Sequence, residues 1–214
     1  MDILYQDTRI VVAVKPAGVV STDEPGGMPE LLRAHLHTDC IRTVHRLDAQ
    51  VAGVMVFARS RVAASLLSQQ IREHRFSKEY LAVLCGTPTQ PADTLTDLLA
   101  RDTRRRVTYV ADAPSPDTRE ARLFYDTVDS ADGLTLVRVQ LHTGRTHQIR
   151  VQFASRGLPL SGDRKYGASD APWPIALWSY RLSFAHPQTG EAMTFACLPP
   201  DTAPWTRFTL PDTL

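Results

Sequence analysis

The chain has 214 residues, with 24 Lys and Arg against 23 Asp and Glu for a formal net charge of +1, and 43% of its residues are hydrophobic. These proportions belong to an ordinary globular protein and exclude disordered and collagen-like classes, while the even charge balance excludes a chain that coats nucleic acid through bulk charge. No apolar run approaches the roughly 18 residues of a membrane span, and Met1-Asp2 opens without the basic and apolar regions of a secretory signal, so a cytoplasmic location is expected.

In chain order, Ile10-Val11-Val12-Ala13-Val14, stopped by Lys15-Pro16-Ala17-Gly18, predicts a buried strand that runs into a turn. A Gly- and Pro-containing loop from Thr22 to Pro29 follows, and Leu31, Leu32, His35 and Leu36 then recur at helical spacing. Gly53 to Ala58 is a second short, uninterrupted apolar run and predicts another buried strand. Ser60 is placed to cap a helix whose apolar residues Val62, Ala63, Leu66, Leu67 and Ile71 continue to about Arg72.

Tyr80 to Cys85, ended by Gly86, predicts a further strand, and Pro88 to Pro91 make a break. Arg119 to Val128 and Leu134 to Leu141 are rich in strand formers and meet at Asp132-Gly133, a hairpin signal. Arg145 to Arg156 predicts a helix closed by Gly157, and Leu177 to Phe184 and Ala192 to Phe195 predict two strands joined through Gln188-Thr189-Gly190. No internal repeat appears. The sum is one α+β domain over residues 1–214, with many strands, few helices, a core from about 4 to 199 and a C-terminal tail from 200.

Three segments could carry chemistry. His45-Arg46-Leu47-Asp48 sets a carboxylate beside a guanidinium and an imidazole just ahead of a buried strand, although the same residues also suit a capped turn with a solvated arginine. Leu141-His142-Thr143-Gly144-Arg145-Thr146-His147-Gln148-Ile149-Arg150 leaves a strand and enters a helix, where backbone N–H groups and arginines suit an anion or carboxylate. Arg101, Arg104, Arg105 and Arg106 form the densest basic cluster, suited either to phosphates along a nucleic-acid strand or to solvent.

Other chemistries lack their residues. His142 and His147 have no HxxxH or HExxH spacing and no acidic third ligand, so no metal is expected. No serine sits in a Gly-x-Ser-x-Gly elbow. Cys40, Cys85 and Cys197 are odd in number and widely separated, which predicts reduced thiols rather than disulfides or a CxxC site.

Taken in order, Lys15-Pro16-Ala17-Gly18, His45-Arg46-Leu47-Asp48, Lys78-Glu79-Tyr80, Thr143 to Arg150, and Gly162-Asp163-Arg164-Lys165-Tyr166-Gly167 resemble the motifs of RluA-type RNA pseudouridine synthases. The resemblance runs from about Leu4 to Pro199. It implies the pseudouridine synthase fold, a central mixed and mostly antiparallel sheet flanked by helices, as a stand-alone catalytic domain with no S4 domain. It also implies an isomerase that acts on structured tRNA or ribosomal RNA without a cofactor; a monomer is the default expectation, since the sequence carries no sign of oligomeric state.

By that resemblance Asp48 is the catalytic carboxylate, which attacks the sugar at C1′ or removes a 2′ proton. Arg145 matches the arginine that pairs with it and keeps it ionised in a dry pocket, and Tyr80 matches the tyrosine that packs on the uracil and assists removal of the C5 proton. Arg46 matches the arginine that fills the space left by a flipped base. With His45, Arg104, Arg105 and Arg106, it makes up the expected RNA-binding set.

The chain departs from the family pattern in three places. Val51-Ala52-Gly53 stands where Thr-Ser-Gly is usual, Leu177-Trp178-Ser179 where Leu-His-Ala is, and Leu123 where a threonine is. The lost hydroxyls leave room for a second reading, a non-catalytic RNA-binding or chaperone relative that kept the fold. A glycosidase would require a second carboxyl group roughly 5–10 Å from the first, and no second acid accompanies Asp48 in any motif.

Overall fold

The apolar runs become the inner strands of a computed structural model that describes residues 1–167 and 170–212. The strands are β1 (Ile3–Gln6), β2 (Ile10–Lys15), β3 (Arg42–Thr43), β4 (Ala52–Ala58), β5 (Ser77–Cys85), β6 (Ala92–Asp102), β7 (Val107–Val110), β8 (Arg119–Ala131), β9 (Leu134–Leu141), β10 (Leu177–Ala185) and β11 (Ala192–Ala196). The helices are α1 (Met28–Leu36), α2 (Arg61–Arg72) and α3 (Gln148–Ala154), with a 3-10 turn at Trp205–Arg207. The chain falls into two units, residues 1–78 with 178–199 and residues 79–177 with 200–212.

In the first unit β4 is the inner strand. It pairs antiparallel with β2 along its length, with Ile10 opposite Ala58 and Lys15 opposite Gly53. Its start pairs parallel with β10 at Trp178 and Ser179, and its end pairs with β3. Ile10, Val12, Val54, Val56 and Ala58 share one face and pack against Ala63 and Leu67 of α2 and against Phe76, Leu182 and Phe184. Alternating positions such as Val11, Met55 and Phe57 are equally buried, so both faces are covered, which is why these strands read as unbroken apolar runs.

Gly53 has a structural duty here. Its φ is +123°, and a Cβ at that position would lie 2.3 Å from the Ser179 carbonyl oxygen, so only glycine lets β10 come this close. Ser179 Oγ then donates to the Val54 carbonyl at 2.9 Å.

Helix α2 begins as its sequence dictates, with the Ser60 hydroxyl accepting from the Ala63 N–H. Its buried face differs from the expected one. Val62 is 67% exposed, and Gln70 is buried instead, its amide donating to the Ala185 carbonyl and accepting from the Ala185 N–H at 2.8 Å each. A two-point bond to a strand end outweighs the apolar pattern at that position.

The second unit carries the antiparallel order β5-β9-β8-β6-β7. The hairpin of β8 and β9 turns at Asp132-Gly133 as read from the sequence, with φ of +54° and +75°. Strands β6 and β7 were not legible. Asp93, Asp97 and Asp102 break the alternation of β6, and its pairing with β8 from Ala92 to Leu99 imposes the extended form. The expected helix from Arg145 is shorter, because His147 takes a left-handed φ of +55° and the helix starts only at Gln148.

Residues 200–212 bury Trp205 and Phe208 within this unit. Arg207 lies over the Trp173 ring and donates to Asp132 at 2.7 Å, and Asp129 accepts from the Thr209 N–H. The segment is thus packed against the rest of the second unit through residue 209.

Candidate active site

The segment around Asp48 is built by its neighbours in the first unit. His45 and Leu47 turn inward, Arg46 is exposed, and Asp48 is partly buried. Ser21, itself buried, clamps Leu47 from both sides, its hydroxyl accepting from the Leu47 N–H at 3.0 Å and donating to the Leu47 carbonyl at 2.8 Å. A turn follows in which the Val51 N–H donates to the Asp48 carbonyl at 3.0 Å.

Lys15 fastens this turn to β2. Its ammonium donates to three carbonyl oxygens, of Pro16 at 2.9 Å, Val19 at 2.6 Å and Ala49 at 2.9 Å, and the side chain is fully buried. The Gly18 N–H also donates to the Ala49 carbonyl. Burial pushes the Lys15 ammonium down to about 8, and the nearby Asp48 carboxylate opposes that shift. The turn at Asp48 therefore sits beside a fixed cation.

His45 is turned into the core. It is 7% exposed, its ring packs against Phe76, and its Nε2 accepts from the Val56 N–H at 3.2 Å. That bond assigns the ring proton to Nδ1, which is buried and has no hydrogen-bond partner among the described residues. Burial, and secondarily the Lys78 charge, lower its pKa to about 3, so it is neutral at ordinary pH. In place of the expected RNA contact, His45 is held in the core by the Val56 N–H and the Phe76 ring.

Val51, which replaces a usual threonine, is 1% exposed and Ala52 opens β4. Val51 is thus apolar core and Ala52 is half-buried, and Ser21 and Lys15 supply the polar support of the loop.

In the second unit Tyr80 lies in β5 opposite Val139 and is 5% exposed. Arg145 is exposed, with its Nε donating to the Glu120 carbonyl at 2.8 Å. Its loop is organised by buried Gln148, whose Oε1 accepts from Thr143 Oγ1 at 2.8 Å and from the Arg145 N–H at 2.9 Å, and whose Nε2 donates to the Arg122 carbonyl at 3.1 Å. Gln148 thus takes up the Arg145 N–H, a backbone donor of the loop that precedes α3. Gln148 lay inside the quoted motif, but sequence reasoning gave it no role.

Arg104, Arg105 and Arg106 are all exposed at the turn between β6 and β7. The Asp102 carboxylate accepts from the N–H groups of Arg104 and Arg105 at 2.9 Å each and also lies 3.8 Å from Arg105 Nε. Among the described residues no group of three or more His, Cys, Asp or Glu is placed to hold a metal ion, and no helix is long and apolar enough to cross a membrane.

Comparison with known proteins decides the family: the model for RNA pseudouridylate synthase matches residues 9–155, more than half of the chain. The chain belongs to the RNA pseudouridylate synthase family.

As a pseudouridine synthase it is an isomerase that modifies RNA. It is 35% identical over 213 residues to the dual-specificity RNA pseudouridine synthase RluA of Escherichia coli (strain K12), covering 90% of each chain. It is 34% identical over 204 residues to an uncharacterized RNA pseudouridine synthase, YhcT, of Bacillus subtilis (strain 168), covering 89% of this chain and 66% of that protein. The solved structures of human RNA Pseudouridylate Synthase Domain Containing 1 and Domain Containing 4 share the pseudouridine synthase fold. Their TM-scores are 0.79 and 0.77 at 23% identity, over 94% and 93% of this chain and 84% and 88% of theirs.

Proposed function

We propose that this pseudouridine synthase isomerises a uridine in structured tRNA or ribosomal RNA, with Asp48 as the catalytic carboxylate and Tyr80 and Arg145 serving the same reaction. The reaction breaks the N1–C1′ bond, turns the uracil and joins C5 to C1′, after which the C5 hydrogen leaves as a proton. Asp48 either attacks C1′ or takes a 2′ proton, and both routes need an ionised carboxylate. The reaction is redox-neutral and consumes no water, so its atoms balance without a cofactor.

The observation that carries this reading is the bracing around Asp48. Ser21 holds the residue before it and Lys15 the residue after it, so a partly buried carboxylate is presented from a fastened turn beside a cation. Arg46, exposed two residues earlier, is available to fill the space left by a base that leaves its stack. Arg104, Arg105 and Arg106 supply phosphate contacts to the surrounding RNA. The enzyme works as a cytoplasmic monomer in this reading, in the compartment of tRNA and ribosomal RNA.

The test is tritium release from RNA labelled at uridine C5, with unmodified tRNA and ribosomal RNA as separate substrates and Asp48→Asn as the comparison. Release by the wild type and none by Asp48→Asn is expected, with RNA affinity little changed because the loss of one charge alters few phosphate contacts. Equal release by both proteins overturns the role of Asp48. Silence from both on RNA that they bind favours the non-catalytic relative that Val51 and Ala52 bring into view.

A further inference from the structure

We propose that Tyr166 is a positioning residue that couples the arginine hairpin of β6 and β7 to the loop carrying Arg145; the inference rests on the reading of both segments given above. The Tyr166 hydroxyl accepts from the Thr108 N–H at 2.9 Å and lies 2.7 Å from His147 Nδ1. Thr108 is two residues after Arg106 and His147 two residues after Arg145. One hydroxyl oxygen thus bridges the two segments that this function would use to hold RNA and to act on it.

The neighbouring residue makes a second tie. Lys165 Nζ donates to the Arg106 carbonyl at 2.8 Å, so consecutive side chains of the Gly162–Gly167 turn grip the descending arm of the hairpin. The turn has a rigid foundation. The Asp163 carboxylate accepts from the Lys165 and Tyr166 N–H groups at 3.0 and 3.3 Å, and both of its oxygens take the Arg150 guanidinium at 2.8 Å in a buried, two-point ion pair. Arg150 belongs to α3 and stacks over the Tyr166 ring at 5.1 Å. The N-cap of that helix is His147 in its left-handed conformation.

Gln148 closes the connection by holding the Arg145 N–H and Thr143. From Arg106 through Lys165 and Tyr166 to His147 and Arg145, every link is a hydrogen bond or a bond along the chain. Contiguous hydrogen-bond chains of this kind are the physical means by which two segments can be coupled, and double-mutant comparison is what demonstrates it. RNA seated on the hairpin would thereby favour the catalytic setting of Arg145.

Tyr166→Phe keeps the ring, and with it the contact to Arg150, and removes only the bridging oxygen. Single-turnover isomerisation at saturating RNA is expected to fall about ten-fold while the Kd for RNA changes less than about two-fold, because transition-state positioning and ground-state binding separate in this way. The hairpin variant Arg104→Ala/Arg105→Ala/Arg106→Ala is expected to lower both affinity and the saturated rate in the wild type, and affinity alone in the Tyr166→Phe background. Additive effects on the saturated rate overturn the coupling, as does a Tyr166→Phe effect confined to Kd.

Lys165→Met provides a route that does not depend on a core change, since Lys165 is exposed. It is expected to lower the saturated rate about three-fold at an unchanged melting temperature, and an unchanged rate counts against the proposal. Failure of the Asp48 reading is separately visible, because Asp48→Asn would then release tritium as fast as the wild type.

Discussion

Lys15 Nζ donates a 2.9 Å hydrogen bond to the carbonyl oxygen of Ala49, the residue that follows Asp48. The end of a core strand is thereby tied to the turn that presents the carboxylate. Lys15→Met keeps the length and apolar stem but strips three carbonyls of their donor. It should lower the unfolding free energy by about 2–4 kcal/mol, as buried acceptors lose their partners. It should also slow tritium release. Urea denaturation and the release assay read the two effects independently.

His45 makes the fold sensitive to acid. Its pKa is about 3 in the folded protein against an ordinary 6.5, so between those values the unfolded chain binds a proton that the folded one does not. Stability is therefore lost as pH falls from 6.5 towards 3, at no more than about 1.4 kcal/mol per pH unit from this residue. His45→Gln retains an acceptor for the Val56 N–H without titrating, and the acid limb of its urea midpoint against pH should be flatter than that of the wild type.

Arg145 is exposed, and its Nε donates to the Glu120 carbonyl. Arg145→Ala should shift the unfolding free energy by less than about 1 kcal/mol, in line with exposed polar contacts. On the proposed role the isomerisation rate should nonetheless fall by about a hundred-fold. Thermal melting and single-turnover kinetics separate the two.

The exposed turn at Arg104 to Arg106 should contribute to affinity through phosphate charge. Replacing all three by alanine should weaken RNA binding and reduce the slope of log K against log salt by about 0.7–0.9 for each arginine that touches a phosphate. Binding titrations from low to moderate salt measure the slope directly. An unchanged slope would assign all three side chains to solvent.

Much of the local structure was legible. The apolar runs at Ile10–Val14 and Gly53–Ala58, the Ser60 cap and the Asp132-Gly133 turn each declare themselves within a few residues, because an unbroken apolar run, a capping hydroxyl and an Asp-Gly pair are all written in the local sequence. The ordered motifs from Lys15 to Gly167 likewise pointed to the family by residue type and spacing alone. Strands β6 and β7 escaped because their extended form comes from the partner strand β8 and from each other rather than from alternation.

The sequence by itself determined the family and the fold class, and it singled out the short segments to which the proposed function assigns the chemistry. Tertiary structure decided what each residue of those segments does. It turned His45 into a neutral core group, gave buried Lys15 three carbonyls to hold, replaced Val62 by Gln70 on the buried face of α2, and set Tyr166 between Thr108 and His147. The physical reason is that hydrogen bonding and burial are settled by what arrives opposite a residue. For Lys15 that is the carbonyl of residue 49 and for Tyr166 the N–H of residue 108, neither of which spacing along the chain can reveal.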